Sequence, residues 1–163
     1  MERCLIVANQ TLGGGQLVDA VRERVGRGER EFSVIVPATL PEHEAGWSGG
    51  FRLPDDASSP LAVAEMEEVA RRRESLIADA ERRATDRLEQ MVATIRSLGG
   101  EADGAVGDAD PVTAVKRVLA GQSFGEVIVS TLPAGISRWL KMDLPSRVAR
   151  MTKAPVTTIE AQD

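Results

Sequence analysis

The stretch that decides the fold is residues 4–25, CLIVANQTLGGGQLVDAVRERV. It opens with five apolar residues, becomes polar at Asn9 and then passes through three consecutive glycines. From Leu17 to Val25, apolar residues recur at near-helical spacing, with charged residues on the opposite face. An unbroken apolar strand, a glycine loop and an amphipathic helix are typical of an α/β protein with a parallel sheet.

The alternation of apolar runs and amphipathic stretches continues along the chain. Further strands are predicted at 32–36, 102–106, 126–129 and 156–159, and further helices at 61–98, 111–120 and 145–151. Because unbroken apolar strands are buried on both faces, the pattern predicts three layers, with a parallel sheet between two layers of helices. The length of 163 residues favours a single domain over 1–163.

Two features do not belong to this regular alternation. Residues 38–60 are rich in proline and glycine and predict an irregular insertion. The helix over 61–98 begins after Ser59-Pro60 and ends before Gly99-Gly100. At 1.5 Å per residue it would reach roughly 55 Å, which exceeds the width of such a domain. Part of it should therefore project, bend or pack on another subunit.

Composition excludes several classes of function. The net charge of −5 and the 3% of aromatic residues argue against a protein that binds nucleic acid. Nothing in the sequence has the pattern of a secretory leader or of a membrane span, so no membrane partner and a cytoplasmic location are expected. The single cysteine, Cys4, lies within an apolar run and is read as a core residue.

No catalytic or metal constellation stands out in the sequence. His43, the lone histidine, falls in the irregular insertion, where a solvated side chain is expected. One histidine and one cysteine cannot complete a closed zinc site, and no nucleophile–base pattern is visible. We therefore expect no metal and no enzymatic activity.

A ligand is expected where the strands end. In open parallel sheets, ligands bind beyond the carboxyl ends of the strands, where the winding direction reverses. The loops at 9–15, from 37 onward, 107–110 and 130–143 follow strands. We expect the turns after Ala8 and Val129 to meet at one mouth. The glycines at 13–15 could expose N–H groups to an anion, or they could form only a flexible turn.

The segment Gly107-Asp108-Ala109-Asp110-Pro111 allows two interpretations. Its two carboxylates could bind Mg²⁺ or act as an acid–base pair. Alternatively, Asp110 caps the helix that Pro111 begins, and Asp108 holds the turn. The second interpretation is favoured.

The tail and the start of the chain resemble the universal stress protein family. Residues 106–111, a helix, Gly125-Glu126-Val127-Ile128-Val129-Ser130, a polar loop, a short helix and Ala154-Pro155-Val156 follow that family's carboxyl-terminal half. Residues 5–11 lie where the family has an apolar strand ending in Asp-Gly-Ser. The resemblance implies a five-stranded sheet in the order 3-2-1-4-5 and a homodimer through the last strand, with the long helix as a second candidate interface.

The likeness is weakest at the family's ATP signature. Asn9 stands where ATP-binding members have Asp, and Ser130-Thr131-Leu132-Pro133 replaces the first pair of glycines. The closing Gly-Ser pair falls near Met142-Asp143, where a carboxylate would repel a triphosphate. These departures resemble the branch of the family that does not hold ATP. No cofactor is therefore certain, and ATP and AMP are the candidate ligands.

The candidate ligand-binding residues lie in the strand-end loops or next to them. They are Asn9, Thr11, Gly13, Gly14, Gly15, Val36, Gly107, Asp108, Ser130, Thr131, Gly135, Ser137 and Arg138. Arg138 could pair with a small anionic ligand, or it could pair with Asp143 and fasten the loop.

Three functions follow from these residues. The first is a stress-protein-like regulatory domain without catalysis, which binds an adenine nucleotide weakly. The second is an oligomerisation module whose long helix docks a partner chain. The third is an enzyme acting on an adenylated or phosphorylated small molecule, with Asp108 as acid or base.

Overall fold

The chain alternates strands and helices as the sequence predicts. The structure, a computed structural model, describes residues 3–8, 15–38, 60–131 and 143–160. The elements in these ranges are β1 (Cys4–Ala8), α1 (Gly15–Gly26), β2 (Glu31–Pro37), α2 (Pro60–Ser97), β3 (Glu101–Gly107), α3 (Pro111–Gly121), β4 (Glu126–Thr131), α4 (Leu144–Met151) and β5 (Val156–Glu160). The insertion expected at 38–60 falls almost entirely outside the described residues.

The five strands form one sheet in the order β3-β2-β1-β4-β5, with every neighbouring pair parallel. The predicted strand order is therefore confirmed. The chain winds outward from β1 to β3 in one direction and from β4 to β5 in the other, so the winding reverses between β1 and β4. Ala8 is the register partner of Ser130 across this boundary. The ends of β1 and β4 therefore lie side by side, while most of the two turns that were expected to meet there lies outside the described residues.

Two apolar layers cover the sheet. Alternate residues of β1 point to opposite faces, so that Ile6 packs with α1 and α2 while Leu5 packs with α3 and α4. Both side chains are fully buried. The unbroken apolar sequence of β1 therefore results from burial on both sides, as the parallel-sheet interpretation requires.

The helix α2 has two halves with different surroundings. Its second half packs on β2 and β3, with Ala80, Ala84 and Ile95 fully buried. Its first half extends past the sheet, and the side chains described from Val63 to Ala78 are exposed. The expectation that part of this helix projects is confirmed.

Glycine permits both the end of α2 and its close contact with the sheet. The N–H of Gly100 donates to the carbonyl of Ile95, and Gly99 has a φ of 96°, which terminates the helix where the sequence predicts. In β3, a Cβ on Gly104 would lie 2.5 Å from Cδ1 of Leu88 and 2.4 Å from the carbonyl oxygen of Val34. Only glycine lets α2 lie this close to the strand.

The amino edge of the sheet is held by a buried ion pair. Arg24 of α1 donates two hydrogen bonds of 2.6 Å to the two carboxylate oxygens of Glu126 in β4. Arg24 also donates to the carbonyl of Ala20, and the Thr157 hydroxyl of β5 donates to Glu126. One pair of side chains thus joins a helix to two strands.

Candidate functional site

The described candidate residues fall into two groups at the carboxyl edge of the sheet. Gly107 ends β3 and Asp108 follows it, next to the end of β2, while Ser130 and Thr131 end β4. Three strand spacings separate β3 from β4, which is roughly 14 Å. The end of β1 lies between the two groups, so a ligand in contact with both would cross the point where the winding reverses.

Several candidate residues lie outside the described part of the chain. They are Asn9, Thr11, Gly13, Gly14, Gly135, Ser137 and Arg138, together with His43. Gly15 is the first residue of α1, so the glycine loop leads directly into a helix N-terminus. The alternative roles of Arg138 stay predictions.

The candidates within the strands are buried. Val36 is fully buried in the core between the sheet and α1 and α2. Ser130 and Thr131 are buried as well, with 4% and 2% of their surfaces exposed. The end of β4, next to β1, thus carries two buried residues with hydroxyl groups.

A cleft of about 780 Å³ lies between α2 and the ends of β2 and β3, on the side of β1 that is away from β4. Its apolar lining consists of Ala38, Ile77, Val106 and Ala109, beside Gly107. Its polar lining consists of Arg73, Glu81, Thr85, Asp108 and Asp110. A volume of this size accommodates a nucleotide-sized molecule. Within the described part of the lining, three carboxylates against one guanidinium give a net negative charge, which opposes a highly charged anionic ligand.

The turn after β3 has a structural role. The N–H of Asp110 donates to the Asp108 carboxylate at 3.0 Å, and Arg117 lies 3.5 Å from the same group. The Asp110 carboxylate accepts from the N–H of Val112 and from the Thr113 hydroxyl, which caps α3. The favoured interpretation of both aspartates is therefore confirmed.

Gly107 is explained by packing. A Cβ at this position would lie 2.8 Å from the Cβ of Ala114 in α3, which is closer than side chains approach one another. The glycine therefore lets α3 pack tightly against the end of β3.

Asp143 adopts a backbone conformation that glycine favours. Its φ and ψ are 58° and 43°, and it is the only non-glycine residue in the described ranges with a positive φ. Its side chain makes no capping hydrogen bond to α4. The resemblance places the closing Gly-Ser pair of the ATP signature near Met142-Asp143, and the backbone at Asp143 adopts a left-handed conformation.

The sequence analysis did not predict that α2 forms a wall of the cleft. Arg73, Ile77, Glu81 and Thr85 contribute a whole wall, although the periodicity alone assigns them only to a long helix. The excess length of that helix was the available signal. A helix that passes beyond the sheet must lie beside the carboxyl ends of the strands it covers.

The Cys4 thiol is not suited to act as a nucleophile. Burial, assisted by the nearby Glu126 carboxylate, raises the pKa of the Cys4 thiol to about 12, so it stays protonated.

Within 3–8, 15–38, 60–131 and 143–160, no three His, Cys, Asp or Glu side chains are grouped to hold a metal. No helix in these ranges is long and apolar enough to cross a membrane.

Comparison with solved structures identifies the architecture. The universal stress protein from Archaeoglobus fulgidus matches with a TM-score of 0.54 at 14% identity, over 98% of this chain and 93% of that one. The fold is that of the universal stress proteins. The hypothetical protein MJ0577 shares the same universal stress protein fold with this chain, with a TM-score of 0.51 at 9% identity over 100% and 99% of the two chains.

A third structure, of the hypothetical protein PH0823, has a TM-score of 0.50 at 13% identity, over 99% of this chain and 98% of that one. No family model matches the sequence, and no curated protein matches it either. The relation to universal stress proteins is thus one of fold, preserved at an identity too low for the residues of the site to be transferred.

Proposed function

We propose that this protein is a non-catalytic regulatory domain that binds a small adenine nucleotide, AMP in preference to ATP, at the carboxyl edge of its sheet. The observation that carries the proposal is the pairing of Ala8 with Ser130 at the point where the winding reverses. In open parallel sheets ligands bind at this point, and a nucleotide seated in the cleft beside the ends of β2 and β3 would reach it across the end of β1. The universal stress protein fold and the resemblance of the sequence supply the choice of adenine.

The charge of the cleft supports a monophosphate. Among the lining residues that the structure describes, Arg73 is the single cation, against Glu81, Asp108 and Asp110. Each further phosphate adds negative charge beside these carboxylates, so affinity should fall from AMP to ATP. The resemblance places Asp143 near the closing Gly-Ser pair of the ATP signature, where its carboxylate would repel a triphosphate.

The arrangement of the carboxylates supports a role without catalysis. Asp110 is used in capping α3, and Asp108 holds the turn and lies beside Arg117. A general acid or base needs a free path to the reacting proton, which these contacts restrict. We expect ATP incubated with the protein to release no phosphate above the buffer rate.

Calorimetry with adenosine, AMP and ATP tests binding. We expect heat with adenosine and AMP and weaker binding of ATP. No heat at millimolar concentration with any of the three would remove the nucleotide part of the proposal. Release of phosphate that an Asp108→Ala substitution abolishes would contradict the non-catalytic part.

Two matched threonines of α2 test the position of the ligand. Thr85 lines the cleft, whereas Thr94 lies outside it, nearer the C-terminal end of the helix. Each threonine donates its hydroxyl hydrogen to the carbonyl four residues earlier. Thr85→Trp should fill the cleft and abolish AMP binding, and Thr94→Trp should leave it unchanged. Equal effects of the two substitutions would exclude this cleft as the site.

The charge argument has its own test. Glu81→Gln removes a carboxylate from the cleft and should tighten AMP binding about 2- to 5-fold, with a larger gain for ATP. Glu89→Gln removes the same charge from an exposed position on the same helix, outside the cleft. That control should change neither affinity.

A further inference from the structure

Arg87 is a buried cation without an ion-pair partner among the described residues. Only 6% of its surface is exposed, and its Nε–H group meets no hydrogen-bond acceptor in the part of the chain that the structure describes. None of the ion pairs between described residues includes Arg87. Burial of an unpaired guanidinium is unfavourable, so such a group needs an explanation. A site for an anion gives this cation a function.

Arg87 lies on the side of α2 that faces α1. Nine positions separate Arg87 from Arg96, so at 100° per residue the two side chains leave the helix in opposite directions. Arg96 donates a hydrogen bond of 3.2 Å to the carbonyl of Ala102 in β3, the edge strand next to α2. Arg96 therefore marks the outer side of α2. Arg87 marks the inner side, where α1 packs on the same face of the sheet.

Arg87 is level with the beginning of α1. Cγ1 of Val25, near the end of α1, would lie 3.7 Å from a Cβ on Gly99, which follows α2. Both helices connect parallel neighbouring strands, so they run in the same direction. At 1.5 Å per residue, the first residue of α1 lies about 15 Å before Val25. Arg87 lies about 18 Å before Gly99, which places its backbone at the first turn of α1.

The side chain of Arg87 extends from this level toward the carboxyl edge of the sheet. Helical side chains lean toward the N-terminus of their helix, and the N-terminus of α2 lies beyond that edge. The neighbouring Leu88 reaches Gly104 of β3, which the strand register places level with Ile6 of β1. Arg87 starts one residue nearer the carboxyl edge and has a longer side chain. Its guanidinium therefore lies near the level of Ala8, where β1 ends.

The first turn of α1 supplies hydrogen-bond donors at the same level. The N–H groups of Gly15, Gln16 and Leu17 have no carbonyl of their own helix to donate to, and they lie at the positive end of its dipole. No acidic residue lies in this turn. A Cβ on Gly15 would meet no described atom within 4 Å, so an ion has room beside the helix.

A second arginine lies on the same side of α2. Arg83 precedes Arg87 by one helical turn, is exposed, and takes part in none of the ion pairs between described residues. The adjacent Arg82 pairs with Asp79 instead. Guanidinium groups present several N–H donors in a planar fork, which matches the oxygens of a phosphate group. Arg83 therefore adds a second cation, one turn nearer the carboxyl edge.

We propose that Arg87 and the first N–H groups of α1 bind a phosphate group, with Arg83 as a second, exposed cation. The chemistry recognised is a doubly charged tetrahedral oxyanion, either free phosphate or the phosphate of a nucleotide. Glu81 and Thr85 of the cleft wall lie about 120° and 160° around α2 from Arg87. The cleft carboxylate on α2 is thus turned away from this site. The inference does not depend on nucleotide binding, because free phosphate tests it directly.

Calorimetric titration of the full chain with inorganic phosphate at constant ionic strength tests the site. We expect the unsubstituted protein to bind phosphate and Arg87→Met to bind it at least about 10-fold more weakly, since methionine keeps the length but none of the donors. Arg83→Met should weaken binding by about 2- to 5-fold, because that side chain is exposed. Arg82→Met removes the same charge from a neighbouring position and should change the affinity by less than about 2-fold.

Thermal melting separates an anion ligand from a purely structural arginine. Without phosphate, Arg87→Met should melt at a higher temperature than the unsubstituted protein, because a buried unpaired charge is removed. Phosphate that binds the native state raises its melting temperature, so the difference should shrink as phosphate is added. Arg82→Met controls for the general effect of phosphate on protein stability. A structural arginine would give a difference that phosphate does not change.

Adenosine and AMP distinguish the two sources of the phosphate group. If the group belongs to a nucleotide, Arg87→Met should weaken AMP binding at least about 10-fold and leave adenosine binding unchanged. If the site takes free phosphate, the substitution should weaken phosphate binding and leave AMP binding unchanged. Either result supports the site. Absence of adenosine and AMP binding, with phosphate binding still lost in Arg87→Met, would remove the proposed nucleotide function alone.

Three results would overturn the proposal. The first is that neither phosphate nor AMP binds at millimolar concentration. The second is that Arg87→Met binds both ligands as tightly as the unsubstituted protein. The third is that Arg82→Met weakens binding as much as Arg87→Met, which would assign the effect to the overall charge of α2.

Discussion

Two buried arginines, Arg24 and Arg87, have opposite surroundings. Arg24, at the amino edge of the sheet, makes two hydrogen bonds to Glu126, and this hydrogen bonding raises its pKa. Arg87 lies on the core-facing side of α2 with 6% of its surface exposed, and burial lowers its pKa. Among the described residues, no hydrogen-bond partner contacts its Nε.

The contrast shows that burial alone does not tell what a charged residue contributes. Removing one partner of a buried, hydrogen-bonded ion pair is strongly destabilising, because the other charge is left uncompensated. A buried polar group without a hydrogen-bond partner, such as Nε of Arg87 among the described residues, is already unfavourable, so its removal should stabilise the fold. The two arginines therefore predict opposite signs for the same substitution.

The largest effect is expected at Arg24. Arg24→Met leaves Glu126 as a buried carboxylate without its cation and should lower the free energy of unfolding by about 3–5 kcal/mol. Urea denaturation followed by circular dichroism measures this change. The double variant R24M/E126L removes both charges and should recover most of the loss. A loss that persists in the double variant would assign the effect to packing instead.

Arg87→Met should have the opposite sign. The substitution keeps the length of the side chain and removes a buried charge, so it should raise the free energy of unfolding by about 1–3 kcal/mol. The same denaturation experiment compares it directly with Arg24→Met. If Arg87→Met destabilises the protein as much, the two buried arginines do not differ as described.

A smaller effect is expected at Asp143, where the backbone is unfavourable for most side chains. Asp143→Gly should be more stable than Asp143→Ala by about 1 kcal/mol, because alanine disfavours the left-handed conformation. At Ser146, within α4, the order should reverse, since alanine favours a helix over glycine by about 1 kcal/mol. Thermal melting of the four variants checks both differences.

The smallest effect is a dependence of stability on pH. The hydrogen bond from Arg24 is the main cause that lowers the pKa of the Glu126 carboxyl below its usual 4.5. This stabilisation is complete above pH 4.5 and is lost as the pH falls through the lowered value. The difference in melting temperature between the unsubstituted protein and Glu126→Gln should therefore shrink from pH 7 to pH 3. A constant difference would show that Glu126 does not titrate in this range.

The sequence predicted the order of elements because each strand is a local apolar run. The apolar sequences of residues 4–8 and 126–129 indicate burial on both faces of the sheet, even when the neighbouring strands are unknown. The ends of α2 were predictable for the same reason, because Pro60 and Gly99 act within one helical turn. The strand order came from the resemblance, since nothing local states which strands are neighbours.

The ion pair and the cleft wall were not predictable in this way. Arg24 and Glu126 are separated by 102 positions, and only the parallel pairing of β1 with β4 brings them together. The cleft wall depends on how far α2 extends past β3. Arg87 lies two helical turns after Ala80, on the side of α2 that packs on the sheet, whereas Arg73, two turns before Ala80, lies beyond the sheet and is exposed.

The length of α2 has a consequence for the motion of the molecule in solution. The 38 residues of α2 form one continuous helix that packs on the sheet and extends past it. Rotation of the molecule about this helix axis is therefore faster than its end-over-end tumbling. The N–H bonds of α2 lie along that axis, whereas those of the strands lie across it. In ¹⁵N relaxation, the amides of α2 should show the largest ratio of transverse to longitudinal rates.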